Sequence, residues 1–157
     1  MVQLLTDDAQ FRSNDRVAGI RLGALFLRQR GAWAELFGSD DAAAIMIAIA
    51  VIRSERILRD PSNSGTRTFS HPVADWELGP SNISSIATAT GMNRETTRRK
   101  VRELVEAGKL VAEDGGLRFA PGLTQEPAFA DAVRDIVENL RSATNDLLRL
   151  GILHAVP

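Results

Sequence analysis

Residues 81–119 read SNISSIATATGMNRETTRRKVRELVEAGKLVAEDGGLRF and carry the strongest structural signal in this chain. Ser81 or Asn82 is suited to cap a short helix, ISSIATAT. Gly91 is predicted to end that helix, because glycine adopts the left-handed conformation without steric penalty. Asn93 then caps a second, amphipathic helix. Two helices joined by a short glycine turn are the pattern of a helix-turn-helix.

The residues after the second helix predict a β-hairpin. Gly108 is expected to end the helix, and two four-residue strands are predicted at Leu110–Glu113 and Gly116–Phe119. The Asp-Gly pair between them is a strong signal for a tight two-residue turn. The hairpin is therefore interpreted as the wing of a winged helix-turn-helix.

Positive charge is concentrated on the second helix. The chain as a whole has a net charge of -1 and a pI of about 6.1, so any attraction to a polyanion must be local. Residues 93–102 have a net charge of +4, with Glu95 opposed by five basic residues: Arg94, Arg98, Arg99, Lys100 and Arg102. Such a cluster is either a DNA-reading surface or a solvated helix face.

The run NRETTRRKVRELVEAGKLV, followed by a glycine-rich hairpin, resembles the winged helix of bacterial transcriptional regulators. Within it, RETxxR is similar to the recognition helix of the catabolite-activator and fumarate-nitrate regulator family. The resemblance implies that Arg94, Glu95 and Arg99 read base edges. Arginine pairs with guanine O6 and N7, and glutamate accepts a hydrogen bond from cytosine N4.

The chain also departs from that family. Thr97 and Lys100 stand where the family places apolar residues, so the base-reading register could shift by one position, with Val101 packing inward instead. The N-terminal half is predicted to be helical and shows no cyclic-nucleotide β-roll. No ligand is therefore implied by the resemblance.

Several polar residues in and beside the motif are candidate phosphate contacts, and each is equally consistent with an ordinary surface role. These candidates are Thr88, Thr90, Asn93, Thr96, Arg98, Lys100 and Arg118.

Residues 1–60 are predicted to form an N-terminal helical hairpin. Ser13 or Asn14 caps a helix that begins near Asp15 and runs to Phe37, and a second helix follows the break at residues 38–40. Apolar residues on the first helix recur at spacings of three and four: Val17, Ile20, Ala24 and Leu27. Residues 61–80 are predicted to form a loop, with a short strand near residues 66–69 as the alternative.

Residues 123–157 are predicted to form a C-terminal helix that Thr124 caps and Gly151 ends. Apolar residues along it follow the a/d spacing of a coiled coil. The predicted dimer contacts are Phe129, Val133, Ile136, Leu140 and Leu147. Packing within the same chain remains the alternative.

Other features exclude several functional classes. The chain has no cysteine, and its two histidines, His71 and His154, have no metal-ligand or nucleophile partner at suitable spacing. The N-terminus lacks the pattern of a signal peptide, and the most apolar stretch, residues 42–52, is too short to cross a membrane. We expect a cytoplasmic protein with no cofactor and no enzymatic activity.

These observations predict a mainly α fold with a small β-hairpin wing, organised as one compact domain with its DNA-binding region at residues 81–122. The predicted function is a homodimeric transcriptional regulator that binds double-stranded DNA at a palindromic site. The alternative is a winged helix that binds proteins in replication or assembly without reading a DNA sequence. The sequence also leaves open a regulator that senses a small molecule, and it does not identify that effector.

Overall fold

A computed structural model describes residues 2–59, 80–113 and 116–156. It confirms a mainly helical chain with short antiparallel strands. The predicted loop at 61–80, with Phe69, His71 and Trp76, lies outside the described residues except for Pro80, as does the hairpin turn at 114–115. The elements are β1 (Gln3–Thr6), α1 (Asp8–Phe37), α2 (Asp40–Arg59), α3 (Ile83–Thr90), α4 (Arg94–Glu106), β2 (Leu110–Glu113), β3 (Gly116–Phe119), a 3-10 turn (Leu123–Gln125), α5 (Pro127–Arg149) and β4 (Leu153–Val156).

The chain divides into two compact units. The first unit comprises Met1–Ala32 with Ala132–Pro157, and the second comprises Trp33–Asp131. The division falls inside α1 and α5 rather than at residue 60 or 123. Consequently α2 belongs to the second unit, whereas most of α1 belongs to the first.

The second unit is built around α2. Ile45, Met46 and Ile49 lie in the apolar stretch at residues 42–52 and are completely buried in α2. Helices α2, α3 and α4 pack against one another, and α4 and α2 also contact β2 and β3 respectively. Trp33 stacks on Phe37, and Phe129 packs edge-on against both rings.

The predicted helix pair at residues 81–107 is confirmed. Asn82 caps α3 by accepting a hydrogen bond from the Ser85 amide, and the Ser85 hydroxyl interacts with the Asn82 backbone in a capping box. Gly91 has a φ of 70° and ends α3. Asn93 caps α4 through its side-chain oxygen, which accepts from the Glu95 amide.

The predicted hairpin strands are also confirmed, with Leu110 opposite Phe119 in the register. The structure adds a contact that the sequence did not reveal, because Ser81 pairs with Gly116 in a parallel bridge. A Cβ on Gly116 would lie 2.1 Å from the Ser81 carbonyl oxygen, and φ at this glycine is 105°. Only glycine allows this close approach of two backbones.

The predicted start of α1 is wrong. The helix begins at Asp8, and the Asp7 carboxylate accepts hydrogen bonds from the Ala9 and Gln10 amides, both at 2.9 Å. Ser13 is inside the helix, where its hydroxyl donates to the Ala9 carbonyl. The Gln10 amide, then that of Ala9, lowers the pKa of Asp7, as expected for a carboxylate at a helix N-terminus.

The prediction that Thr124 caps the C-terminal helix is wrong as well. Thr124 lies in the 3-10 turn, and α5 begins at Pro127, which tolerates the first helical position because its missing amide would be unpaired there. Gly151 has a φ of 70° just beyond the end of α5, as predicted.

The strands β1 and β4 were not predicted. They pair in antiparallel register, with Gln3 opposite Val156 and Thr6 opposite Leu153. The Asp7 amide extends this ribbon by donating to the Ile152 carbonyl at 2.9 Å. This pairing explains why α1 begins early, since it places Asp7 where its carboxylate caps the helix. No helix in the described part of the chain is long and apolar enough to span a membrane.

Candidate nucleic-acid interface

Helix α4 has one buried edge and a broad exposed face. Thr97, Val101 and Leu104 are buried, and the Thr97 hydroxyl donates to the Asn93 carbonyl at 3.0 Å. Thr97 therefore occupies an inward position despite its polarity, since its hydroxyl bonds within the helix.

The three predicted base-reading residues lie on the exposed part of α4. Arg94, Glu95 and Arg99 are all solvent-exposed. Glu95 and Arg99 are four residues apart and share one face, whereas Arg94 shares a neighbouring face with Arg98. The exposed side chains thus cover a wide surface rather than a single narrow stripe.

Acidic residues of α4 pair with part of the basic cluster. Arg98 Nη1 lies 2.7 Å from Glu95 Oε2, Lys100 Nζ lies 2.8 Å from Glu103 Oε2, and Arg99 Nη1 lies 3.5 Å from Glu103 Oε1. The hydrogen bond from Lys100 lowers the pKa of Glu103. Exposed pairs of this kind are weak, so the basic side chains can exchange these partners for phosphate oxygens.

Two arginines of the cluster have no acidic partner of this kind. Arg94 and Arg102 form no ion pair within the part of the chain that the structure describes, and both are exposed. Arg102 was not among the predicted contacts, although it lies on the same helix and belongs to the same charge cluster.

The two threonines predicted on α3 use their hydroxyl protons locally. Thr88 Oγ1 donates to the Ser84 carbonyl at 3.0 Å, and Thr90 Oγ1 donates to the Ile86 carbonyl at 2.8 Å. Thr88 is exposed and Thr90 is half-buried. Thr96, on α4, is half-buried, whereas the Asn93 cap is exposed.

Arg118 on β3 is held against the hairpin. Its Nε lies 3.0 Å from Glu113 Oε2, and its Nη2 contacts Glu113 Oε1. The hydrogen bond from Arg118 lowers the pKa of Glu113. Arg118 must leave this bidentate pair before it can contact phosphate.

Two buried residues beneath the hairpin were missed. The Leu117 carbonyl accepts hydrogen bonds from Ser81 Oγ at 2.6 Å and from Arg53 Nη1 at 3.2 Å, and the Leu117 amide donates to the Ser81 carbonyl at 2.9 Å. Spacing could have identified Arg53, because it follows Ile45 and Ile49 at four-residue intervals on the buried side of α2. These bonds tie the hairpin to α2 and to the start of α3.

An open groove of about 440 Å³ lies between α4 and the hairpin. Apolar side chains including Ile83, Val101 and Val105 line it, together with Arg98 and Arg102. Arginines of the basic cluster therefore border a concave apolar surface.

No protein-family model, curated protein or solved structure matches this chain.

Proposed function

We propose that this chain is a cytoplasmic transcriptional regulator that binds double-stranded DNA in a sequence-specific manner through a winged helix-turn-helix. In this proposal α3 and α4 are the two helices of the motif, and β2 and β3 form the wing. The observation that carries the proposal is the geometry of α4. Its buried edge anchors the helix on α2 and α3, while its arginines are presented to solvent.

An α-helix of this kind fits the major groove of B-DNA, where each base pair presents a distinct set of donors and acceptors. Arg94 and Arg99 are proposed to bond guanines, and Glu95 to accept from cytosine. Arg98, Lys100 and the exposed Asn93 are proposed to contact phosphates beside the groove. The helix macrodipole adds a weak attraction for phosphate at the N-terminus of α4.

Binding should depend strongly on salt, because the basic cluster of α4 supplies the phosphate contacts on a chain of net charge -1. Each phosphate contact releases a condensed counterion. For a homodimer we expect the slope of log affinity against log salt to be roughly -4 to -7.

Selection of bound fragments from a random duplex pool, followed by fluorescence anisotropy on the enriched sequence, tests the proposal. We expect an enriched inverted repeat whose affinity exceeds that of scrambled duplex by at least about a thousandfold. Binding that is absent at low salt, or equal for enriched and scrambled duplexes, would overturn the function as stated.

The groove between α4 and the hairpin supports a second candidate, a protein-binding module. An apolar concave surface bordered by arginines suits an acidic partner segment with apolar anchors. Under this candidate, Val105→Asp would abolish partner binding while leaving affinity for duplex DNA weak and indifferent to sequence.

A further inference from the structure

The two units differ sharply in where their apolar side chains lie. Of the 12 large hydrophobic side chains exposed among the described residues, 11 belong to the first unit and only Val51 belongs to the second. Of the 17 hydrophobic residues that are buried in the described part of the chain, the first unit contributes three: Ala18, Ala143 and Ile152. A two-stranded ribbon and two helix segments with so few buried residues lack a core sufficient for independent stability.

One exposed apolar stripe runs along α1. The outer α1 stripe consists of Val17, Ile20, Ala24 and Leu27, at successive spacings of three, four and three. Ile20 is 66% exposed and Leu27 is 64% exposed, whereas Ala18, on the opposite side of the helix, is buried. Of the apolar residues that predicted α1, Val17, Ile20 and Leu27 are therefore exposed, and Ala24 is half-buried.

A second exposed stripe runs along α5. The outer α5 stripe consists of Val133, Val137, Leu140 and Leu147, again in heptad spacing, with Val133 and Leu147 half-buried. Val137 is 56% exposed and Leu140 is 55% exposed. Phe129 is excluded from this stripe because it is buried within its own chain against Trp33 and Phe37.

We propose that the outer α1 stripe of one copy packs on the outer α5 stripe of a second copy, and reciprocally about a two-fold axis. Alternating spacings of three and four are typical of helices that pack against other helices at small crossing angles. The inference rests on the proposed function only in taking a homodimer as the active form, and it extends the interface from α5 to α1.

Charge favours this pairing over α1 against α1. Arg16 and Arg28 border the outer α1 stripe, whereas Asp8 and Asp15 lie on the other side of the helix, at 3.6 residues per turn. Two α1 stripes in contact would therefore bring arginines together, which is unfavourable.

Helix α5 brings fewer unpaired like charges to the contact. At 3.6 residues per turn, Asp135 and Glu138 lie on the side of α5 opposite the outer α5 stripe, and Arg141 is the charged residue nearest to the stripe. Arg141 is already paired with Glu138 at 2.7 Å, so an α1–α5 contact brings fewer unpaired arginines together than an α1–α1 contact.

The exposed area matches the requirement of a stable dimer. The five exposed side chains of the two stripes, Val17, Ile20, Leu27, Val137 and Leu140, present on the order of 500 Å² of apolar surface per copy. A standard interface buries about 800 Å² per partner, and roughly 65% of a homodimer interface is apolar. The two stripes thus supply the apolar core of one such interface.

Disulfide trapping tests the pairing directly, since the chain has no cysteine of its own. Val17, Ile20 or Leu27 is changed to Cys in combination with Val137→Cys or Leu140→Cys, and each variant is oxidised and analysed on a denaturing gel. We expect at least one α1–α5 combination to form a covalent dimer, while the corresponding single variants do not. No dimer in any combination, or equal trapping by a single variant, would overturn the proposed pairing.

Mass measurement by light scattering gives an independent test. Ile20→Asp and Leu140→Asp should each convert a wild-type dimer to monomer at tens of micromolar protein, with circular dichroism unchanged. Val51→Asp is the matched control, because Val51 is 57% exposed but lies in the second unit, and it should remain dimeric. A monomeric wild-type protein would overturn the inference.

DNA binding is measured on the same variants to separate the two proposals. A wild-type dimer that the stripe variants disrupt but that binds no DNA would count against the proposed function alone. Conversely, specific DNA binding by variants that remain dimeric would count against the interface alone.

Discussion

Gly116 shows how a single residue determines the placement of the hairpin. Both its positive φ and the nearby Ser81 carbonyl exclude a side chain. Gly122 also has a positive φ, of 86°, but no atom lies within 4 Å of a Cβ added there. A substitution at Gly122 therefore measures the cost of the backbone conformation without the clash that a side chain at Gly116 would make.

We therefore expect Gly122→Ala to lower the free energy of unfolding by about 1 to 2 kcal/mol. Gly116→Ala should lower it by at least about 2 kcal/mol more, because the Ser81 backbone must also move. Urea denaturation of both variants measures this difference. Equal losses would show that the Ser81 bridge contributes nothing.

The arginines of α4 are expected to differ from its lysine in their effect on DNA. Arg94→Ala or Arg99→Ala should weaken binding by about 1 to 3 kcal/mol and relax the preference at one base pair of each half-site. Lys100→Ala should weaken binding to all sequences about equally, because a phosphate contact carries no sequence information. Competition binding with single-base-pair variants of the enriched site measures both effects.

The assignment of Arg94, Glu95 and Arg99 as base-reading residues, which follows from the resemblance, can be contradicted directly. If the Arg94 and Arg99 variants keep full discrimination while Arg98 or Thr96 variants lose it, the base-reading face is displaced along α4.

At the level of the helix, Glu103 is expected to restrain DNA binding. Its carboxylate pairs with both Lys100 and Arg99, so Glu103→Gln should release two cations and raise affinity for duplex DNA several-fold at low salt. Glu106→Gln is the control, because Glu106 forms no ion pair in the described part of the chain. An equal gain from both variants would indicate a general charge effect instead.

The pH dependence of this effect follows from the pKa of Glu103. The hydrogen bond from Lys100 lowers that pKa, so the pair is complete above the ordinary value of 4.5 and is lost only as pH falls through the lowered value. The affinity difference between wild type and Glu103→Gln should therefore be constant between about pH 6 and 8. Anisotropy titrations across this range check the prediction, and a difference that disappears near pH 7 would contradict it.

For the whole molecule, the proposed two-fold dimer constrains the DNA site. Two copies of α4 should read half-sites separated by about one helical turn, or 10 to 10.5 base pairs. Inserting five base pairs between the half-sites places them on opposite sides of the duplex, so affinity should fall to that of a single half-site. Inserting ten base pairs returns both half-sites to the same side of the duplex and serves as the control. Unchanged affinity on the five-base-pair insertion would show that the copies bind independently.

The helices and hairpin of residues 81–119 were predictable because their signals are local. Asn82, Asn93 and Gly91 act on the backbone within a few residues, and the spacing of Val101 and Leu104 identifies the buried side of α4. The exposure of Arg94, Glu95 and Arg99 follows from the same spacing. Neighbouring residues contain all the information that these features require.

Contacts between distant residues were not predictable in the same way. The β1–β4 ribbon joins segments about 150 residues apart, and neither strand has a distinctive pattern. The bond from Arg53 to the Leu117 carbonyl depends on how α2 packs under the hairpin. The ribbon in turn makes Asp7 the cap of α1, in place of the locally suitable Ser13.

The clearest case is α1, where spacing established a helix but not which side of it the chain would bury. Ala18 and Leu25 lie on one side, whereas Val17, Ile20 and Leu27 form an apolar stripe on the other. Two apolar sides satisfy the helical period equally well, so the period cannot distinguish them. Tertiary contacts resolve the choice, because the side of α1 that carries Ala18 also carries Arg21 and Gln29, which bond to Asp146 and to the Ile136 carbonyl of α5 and leave the larger apolar residues exposed.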